Sequence, residues 1–343
     1  MEWFKNNDVQ IKVISGDNPI TVAEVAKRAG IDGADKYISL EGLSDREVVT
    51  VADKYNIFGR VSPEQKAILV KALKSAGHTV GMVGDGVNDI LAMKESNCSI
   101  TVATGSDATK NIAHIVLMDS NFNTLPDVVA EGRRVINNIE RSSSLYLMKT
   151  LFTLIFAITS ILRSTVFPFN NQMMIMLEVV VIGIGSFALS MEKNTNRVDG
   201  KFMSYVIAHS IPGAAILIMN VFAFDILDKL PLDIVFPSGF KDTLMVAALS
   251  FGGLAYLYVI CKPYNLYRTI LVLSLSVFSI IWICFFMPAF NLPNLLSDFK
   301  HHWQYVVVLL CLIQFDVTVS KFLTFITEKI RSTWKVELPS VQI

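Results

Sequence analysis

Residues 84–89 read Gly-Asp-Gly-Val-Asn-Asp, and they directly follow an apolar run at 79–83. An apolar run that ends at a glycine turn predicts a buried strand, and the residues after it have a helical pattern. Asp85 and Asp89 would then lie about one helical turn apart, with Asn88 beside them. Mg²⁺ binds a few carboxylates together with phosphate and water, and glycines let a phosphate approach the backbone. Taken alone, the hexapeptide is also compatible with a tight turn that carries surface acids.

Two further segments supply groups that bind phosphate. Ser15-Gly16-Asp17 ends another apolar run and precedes a helical pattern, so it offers a hydroxyl and backbone N–H groups at a helix N-terminus. Lys66 falls in the first turn of a helical pattern at 63–76, although a lone lysine there would ordinarily be a solvated surface residue. A hydroxyl loop, a lysine and a carboxylate pair on one parallel sheet are the groups that phosphoryl transfer needs.

The first 120 residues alternate short apolar runs with helical patterns. This alternation predicts an α/β domain with a mostly parallel sheet covered on both faces, and such sheets bind ligands at the carboxyl ends of their strands. The clearest predicted helices are 18–29, 63–76 and 86–94. The predicted strands are 9–15, 36–40, 57–61, 79–83, 99–103 and 114–117.

The rest of the chain is far more apolar. The whole sequence is 52% hydrophobic with a mean hydropathy of +0.48, and its net charge of zero averages two unlike parts. From Ser143 onward, six segments are apolar nearly all round and have roughly the 20 residues that a membrane-spanning helix needs. An all-α bundle of six transmembrane helices is therefore predicted. The spans are about 144–165, 172–191, 203–224, 242–261, 269–288 and 303–324.

Composition also bounds the partners and the topology. No basic stripe indicates nucleic acid, and the four scattered cysteines form no CxxC pair. Lysine and arginine concentrate in alternate connections, which predicts by the positive-inside rule that the sheet domain and the C-terminus are cytosolic. Between about 125 and 162 a single helix is expected to run from one domain into the other. The predicted domains are a sheet domain at 1–125, a helical stalk at 126–143, the spans at 144–324 and a tail at 325–343.

These motifs resemble those of the haloacid-dehalogenase superfamily, and within it the P-type ATPases. Ile14-Ser15-Gly16-Asp17-Asn18 is similar to the hydroxyl-Gly-Asp motif of that superfamily, Lys66 to its phosphate-site lysine, and 84–89 to its hinge motif nearly residue for residue. The resemblance covers the whole chain, as the second part of a Rossmann-like phosphorylation domain and then the fifth to tenth membrane helices. It implies a bacterial calcium-type pump in the plasma membrane, with ATP as substrate and Mg²⁺ as cofactor.

The resemblance also implies roles for single residues. Asp85 would bind the catalytic Mg²⁺ with support from Asn88 and Asp89. Lys66 would neutralise charge on the phosphoryl group, and Asp17 would position the water that hydrolyses the aspartyl phosphate. Ser15 would donate a hydrogen bond to the same phosphoryl group. The implied catalytic residues are Ser15, Gly16, Asp17, Lys66 and Asn88, and the implied magnesium ligands are Asp85 and Asp89.

The nucleophile of that family is the aspartate of Asp-Lys-Thr-Gly, a string that this sequence lacks. Of its three Asp-Lys pairs, those at 35–36 and 53–54 are followed by tyrosine, and the one at 228–229 is followed by leucine. We therefore expect the nucleotide-binding and actuator domains and the first four membrane helices to lie upstream, either in a longer form of this chain, which we favour, or on another polypeptide. Alone, the chain is expected to be inactive.

Polar residues within the apolar segments are candidate ligands of the transported ion. Glu178 lies inside the second span just before Gly-Ile-Gly at 183–185, and the sixth helix of the resembled family is broken in this region and carries ion ligands. The alternative for Glu178 is a buried structural acid. Lys149 either extends to the membrane interface or acts as a built-in countercharge, and Asp316 could pair with His209. The candidate ion ligands are Glu178, Thr150, Thr153 and Asp316.

The small number of acids in the spans predicts a single ion site, completed by the fourth helix of the resembled family. Carboxylate, hydroxyl and carbonyl ligands favour a hard cation. Calcium is the first choice, with magnesium, manganese and a monovalent ion left open. Two other functions remain as alternatives: a membrane-anchored phosphatase of the haloacid-dehalogenase type that acts on a small phosphate ester, and a non-catalytic channel or regulatory subunit. Lipid and the cation are the remaining expected partners.

Overall fold

The computed structural model describes residues 1–164, 171–198, 200–227, 239–295 and 299–333. The chain divides into two compact units, Met1–Val129 and Ala130–Ile343. The first unit is α/β with parallel strands, and the second is built from long apolar helices. The fold class predicted from the sequence is thereby confirmed.

Short parallel strands form two sheets in the first unit rather than the single sheet expected. The orders are β2-β3-β1 and β4-β5-β6, so β1 and β4 each lie at a sheet edge. Predicted strand 9–15 shortens to two residues because only Val13 and Ile14 have partners on β3, opposite Ile57 and Phe58. The strands are β1 (Val13–Ile14), β2 (Tyr37–Ser39), β3 (Ile57–Gly59), β4 (Gly81–Val83), β5 (Cys98–Val102) and β6 (Ile115–Leu117).

Helices of the first unit begin at recognisable caps. A helix that the sequence analysis missed starts after Ser44, whose hydroxyl and backbone N–H both donate to Glu47 in a capping box. These two hydrogen bonds hold the pKa of Glu47 below its usual value, and the bond from the Ser44 hydroxyl has the larger effect. The helices are α1 (Glu2–Asn6), α2 (Pro19–Arg28), α3 (Asp45–Val51), α4 (Pro63–Ser75), α5 (Ile90–Glu95) and α6 (Asp107–Ile112).

Helix α4 packs against the cores of both sheets. Leu69 and Leu73 belong to the apolar cluster around Phe58 on β3, whereas Val70 packs in a second cluster with Met82 on β4. All of these side chains are at least nine-tenths buried. Burying a leucine or valine side chain contributes about 1.5–3 kcal/mol, so this helix fixes the two edge-strand loops in one unit.

In the second unit, within the described residues, six helices are long and apolar enough to cross a membrane. This agrees with the six predicted spans, although residue 165 of the first lies outside the described residues. The predicted tail at 325–333 is helical, and its remainder, 334–343, also lies outside them. The helices are α7 (Leu125–Arg163), α8 (Asn171–Met176), α9 (Ser186–Ser190), α10 (Phe202–Leu227), α11 (Phe240–Ile260), α12 (Leu266–Phe285) and α13 (Phe299–Thr333).

The second predicted span differs from a regular helix in its middle. Residues Leu177–Gly185 form a π-helical segment between α8 and α9, and the segment includes both Glu178 and the Gly-Ile-Gly string. The helix is therefore widened there, whereas the resemblance implied a broken helix. A π segment offsets the backbone hydrogen-bond ladder by one residue, and such segments are frequent at functional sites.

A buried ion-pair network joins three segments of the second unit. Glu192, after α9, accepts from Arg141 of α7 at 3.1 Å and from Arg268 of α12 at 2.8 Å. Asn265 donates to the same carboxylate at 2.6 Å. The three charged side chains are more than nine-tenths buried, so each depends on the others for its charge compensation.

We expect Glu192→Gln to destabilise the second unit strongly, because Arg141 and Arg268 would remain buried without their counter-charge. Removing one partner of a buried pair costs about 3–5 kcal/mol. Thermal unfolding in detergent, followed by circular dichroism, should show a clearly lowered Tm. The matched control is Glu131→Gln, which breaks an exposed pair with Arg134 and should leave Tm nearly unchanged. Equal Tm values for both variants would contradict the network's role.

Candidate functional site

The Gly84–Asp89 turn follows β4 and is held in shape by its own backbone. Gly84 N–H donates to the carbonyl of Ile100 at 3.1 Å, which extends the pairing of β4 with β5. A Cβ at Gly84 would lie 2.5 Å from the Cβ of Asp89, so only glycine fits there. Residues Val87–Asp89 form a single 3₁₀ turn before α5, where a regular helix was predicted. The turn therefore folds Asp89 back against the start of the loop.

Lys66 and Asp89, which the sequence analysis placed in separate motifs, form an ion pair. Lys66 lies in the first turn of α4, which starts at Ser62 with a capping box closed by Gln65. Its Nζ lies 2.7 Å from Asp89 Oδ1, and both side chains are largely buried, with 14% and 13% of their surface exposed. Oδ2 of Asp89 accepts from Gly86 N–H at 3.4 Å. The pair thus places a positive charge at the mouth of the glycine turn.

Asp85 is exposed, and its backbone is anchored by a segment that the sequence analysis did not single out. Its carbonyl accepts from Ser106 N–H at 2.9 Å and from the Thr109 hydroxyl at 3.3 Å. Gly105 approaches so closely that a Cβ there would lie 3.2 Å from the same carbonyl. This support was detectable as Gly105-Ser106 before a helical pattern, a glycine and an N-cap serine. It fixes the backbone of Asp85 while leaving its carboxylate directed to solvent.

In the loop Ser15-Gly16-Asp17 after β1, Ser15 and Asp17 are hydrogen-bonded to each other. Ser15 Oγ accepts from Asp17 N–H at 3.1 Å and donates its proton to Asp17 Oδ2 at 3.0 Å. Asn18 caps α2 by accepting from Ile20 N–H at 2.9 Å. Because a hydroxyl has one proton, Ser15 can donate to a phosphoryl oxygen only after releasing Asp17.

Arg60, which the sequence analysis did not single out, connects the Ser15-Gly16-Asp17 loop to α4 through its backbone. Its backbone N–H donates to the Asp17 carbonyl at 2.9 Å, and Val61 N–H donates to the Ser15 carbonyl at 3.1 Å. Arg60 has a φ of 53°, a conformation rarely adopted outside glycine, and its side chain is exposed. The segment then enters α4 and leads to Lys66 one turn later. Backbone continuity thus links the hydroxyl loop to the lysine, although no side-chain contact between them is seen in the described residues.

The donor set fits Mg²⁺ through a single carboxylate. Asp85 is exposed, whereas one oxygen of Asp89 is engaged by Lys66. Within the described residues no cluster of three or more His, Cys, Asp or Glu could hold a metal, and Mg²⁺ characteristically needs only one or two carboxylates when phosphate supplies the rest. Burial raises the pKa of the Cys98 thiol on β5, which keeps it protonated and unsuited as a soft ligand.

In the second unit, the structure pairs Glu178 with Lys149. Lys149 Nζ of α7 lies 2.5 Å from Glu178 Oε1, with 34% and 45% of the side chains exposed. Of the two interpretations of Lys149, the built-in countercharge is the one that this contact favours. Both side chains therefore remain partly exposed among the described residues.

The other candidate ion ligands are not brought to this pair. The hydroxyls of Thr150 and Thr153 donate to carbonyls one turn back in α7, those of Tyr146 and Lys149. Asp316 of α13 accepts from Asn220 at 2.9 Å, not from His209, because His209 pairs with Glu328 at 3.1 Å.

Comparison with known proteins connects the two units. A family model of haloacid dehalogenase-like hydrolases matches residues 1–97. The probable cation-transporting ATPase exp7 of Streptococcus pneumoniae is 34% identical over 79% of this chain and 36% of its own length. The calcium-transporting ATPase CtpE of Mycolicibacterium smegmatis is 35% identical over the same shares. Over 79% of its length, this chain is similar to P-type cation-transporting ATPases.

Other P-type relatives differ in the ion that their names state. The magnesium-transporting ATPase, P-type 1, of Salmonella typhimurium is 35% identical over 40% of this chain and 15% of its own length. The chain spans about a third of the length of the exp7 and CtpE pumps, 36% in each case. Because 79% of the chain is longer than either unit alone, each match includes part of both units.

Proposed function

We propose that this chain is the C-terminal part of an ATP-driven P-type pump that moves a hard cation across a bacterial plasma membrane through an aspartyl-phosphate intermediate. The observation that carries the proposal is the Lys66–Asp89 pair at the mouth of the glycine turn, 2.7 Å apart and largely buried, in a chain that continues into six helices of membrane-spanning length. ATP is the substrate and Mg²⁺ the catalytic cofactor in this proposal.

The residues of the first unit divide the chemistry among them. Asp85 holds Mg²⁺, which supplies charge neutralisation when it is bound with phosphate, and Asn88 lies beside it on the same exposed turn. Lys66, oriented by Asp89, places its positive charge against the transferred phosphoryl group. Asp17 releases the Ser15 hydroxyl to that group and orients the water that later hydrolyses the aspartyl phosphate. Asp89 acts in this scheme by positioning Lys66.

The nucleophile comes from elsewhere in the pump. The loops that carry Ser15 and Asp85 follow β1 and β4, and both strands are sheet edges among the described residues. A parallel strand added at these edges would end beside both loops, because parallel strands bring their carboxyl ends to one side. We assign this strand to the segment with the Asp-Lys-Thr-Gly string, in the upstream part of the pump.

The ion site is built around Glu178. The opposite charges of Glu178 and Lys149 nearly cancel before the cation arrives. This near neutrality suits a site for one cation. The π-helical segment that follows offers carbonyls whose hydrogen bonds are offset from the regular ladder. Calcium remains our first choice, because the carboxylate and carbonyl ligands are hard oxygens and CtpE transports calcium.

Topology follows from the same proposal. The sheet unit takes part in phosphoryl transfer from ATP and therefore lies in the cytosol, as does the C-terminal end of α13 after six crossings. Lys193, Arg197 and Lys201 then fall on the cytosolic side, in agreement with the positive-inside rule.

The isolated chain tests the division of labour. Incubated with ATP, Mg²⁺ and cation, purified 1–343 should form no acid-stable phosphoenzyme, because the nucleophile is on the upstream part. It should also leave a simple phosphate ester such as p-nitrophenyl phosphate intact. Radiolabel from the γ-phosphate of ATP on the chain would contradict the assigned position of the nucleophile. Turnover of the ester, lost in Asp85→Asn, would support the phosphatase alternative instead.

A further inference from the structure

Helix α13 carries a polar face inside the apolar bundle. Asp316, Ser320, Thr324 and Glu328 follow one another every four residues, so they lie on one side of the helix with a rise of about 6 Å between neighbours. This helix packs against α10 and α11. None of these four residues belongs to the phosphoryl or Glu178 sites described above.

Asp316 is buried, and among the described residues no charged side chain contacts it. It is 1% exposed, and its Oδ2 accepts from Asn220 Nδ2 of α10 at 2.9 Å. Asn220 also donates to the Ala248 carbonyl at 3.1 Å. In the part of the chain that the structure describes, Asp316 Oδ1 and Asn220 Oδ1 are buried and have no hydrogen-bond partner. Gly252 of α11 closes over the pair, since a Cβ there would lie 2.6 Å from Asn220 Nδ2.

Two hydroxyls continue this face toward the end of the helix. Ser320 is fully buried, and the oxygens of Ser320 and Thr324 are likewise without a partner among the described residues. One turn further, Glu328 contacts His209 Nε2 of α10 at 3.1 Å and Arg331 Nε at 3.1 Å, and 35% of its side chain is exposed. The face therefore runs from a buried interior to a partly exposed titratable pair.

The groups on the neighbouring helices do not compensate Asp316. On α10, Tyr205 stacks on His209, which is engaged with Glu328 about three turns away from Asn220. On α11, the Tyr256 hydroxyl donates to the His209 carbonyl, and Tyr258 lies under Lys321. A bare carboxylate in such surroundings is very costly, whereas a protonated one is neutral and can donate through its second oxygen.

We propose that Asp316 is a proton-binding site, separate from the cation site at Glu178, which exchanges its proton with the Glu328–His209 pair through the hydroxyls of Ser320 and Thr324. A proton suits the site better than a metal ion. The three unpartnered oxygens of Asp316, Asn220 and Ser320 are fewer than the six to eight that calcium takes. The rise along the helix between successive members is about 6 Å, and the proposed route crosses each step through a single water molecule.

Infrared difference spectroscopy of the chain in lipid nanodiscs tests the site. The wild type should show the C=O stretch of a protonated carboxyl at neutral pH, and Asp316→Asn, which keeps the shape and the bond from Asn220, should lose it. Glu178→Gln should retain it. Absence of any such band in the wild type overturns the proposal without recourse to a variant. Loss of the band on adding Na⁺, K⁺ or Ca²⁺ at constant pH would show a metal site and also overturn it.

Exchange into D₂O tests the route. In D₂O the C=O band of Asp316 shifts as its proton is replaced by deuterium. The rate of this exchange should fall at least about tenfold in Ser320→Ala and in Thr324→Val, because each substitution removes a hydroxyl that passes the proton on. The matched control is Thr318→Val, whose exposed hydroxyl donates back to the Gln314 carbonyl of the same helix. Unchanged exchange in both relay variants, or equal slowing in the control, would contradict the route.

Discussion

Asp85→Asn, in the complete pump, should lower phosphoenzyme formation from ATP by at least about a hundredfold, the loss typical when one preorganised charge is removed from an active site. Asp85 is the exposed carboxylate at the turn after β4, whereas Asp89 is engaged by Lys66. Asparagine fills the same space, so the backbone bonds from Ser106 and Thr109 to residue 85 should persist. Acid-stable phosphate from labelled ATP, measured at saturating Mg²⁺, gives the readout.

The matched variant is Asp17→Asn, which should spare phosphorylation and slow the decay of the phosphoenzyme. Asp17 accepts the Ser15 proton, and asparagine removes the carboxylate that orients the attacking water. Chasing labelled phosphoenzyme with excess unlabelled ATP separates the two variants. The same formation and decay rates in both would show that the two loops do not have distinct roles.

The second large effect should come from the Glu178–Lys149 pair. Glu178→Gln is expected to raise the cation concentration for half-maximal phosphorylation at least about tenfold, equivalent to about 1.4 kcal/mol, because a carboxylate ligand is lost in a low-dielectric site. Phosphorylation from inorganic phosphate, which in the proposed cycle does not wait for the cation, should persist.

Lys149→Gln should act in the opposite direction. Lys149 Nζ lies 2.5 Å from Glu178, so the incoming cation competes with it for the carboxylate. Removing the ammonium should lower the cation concentration for half-maximal phosphorylation. The control is Thr159→Val on the same helix, whose hydroxyl also bonds one turn back, at 2.7 Å. Superimposed curves for Ca²⁺, Mg²⁺ and Mn²⁺ in wild type, Glu178→Gln and Lys149→Gln would show that the pair is structural.

Local patterns sufficed for most of the fold. The strand before Gly84 and the helix after Ser62 could be predicted because an apolar run, a glycine turn and a proline in the first helical turn each restrict the backbone within a few residues. The six spans could be predicted because lipid demands some 20 apolar residues in succession. The two-residue length of β1 could not be predicted, since it depends on how many residues of β3 pair with it.

Tertiary contacts explain what the sequence analysis missed. Lys66 and Asp89 could each be selected as candidates from local motifs, although the ion pair between them was not predicted. The support of Asp85 by Ser106 was not predicted either, since 21 residues and a strand separate them. The suggested pairing of Asp316 with His209 was wrong for the same reason: both lie on long helices, and only the packing decides that Asn220 and Glu328 are their partners.

Transport itself is the most direct test of the central proposal. Inside-out vesicles from cells that produce the complete pump should accumulate one of Ca²⁺, Mg²⁺ or Mn²⁺ when ATP is added, and vesicles with Asp85→Asn at equal protein level should not. Uptake of calcium alone would also identify the ion. No ATP-dependent uptake of any of these or of monovalent cations, or the same uptake with Asp85→Asn, would contradict a pump that uses this site.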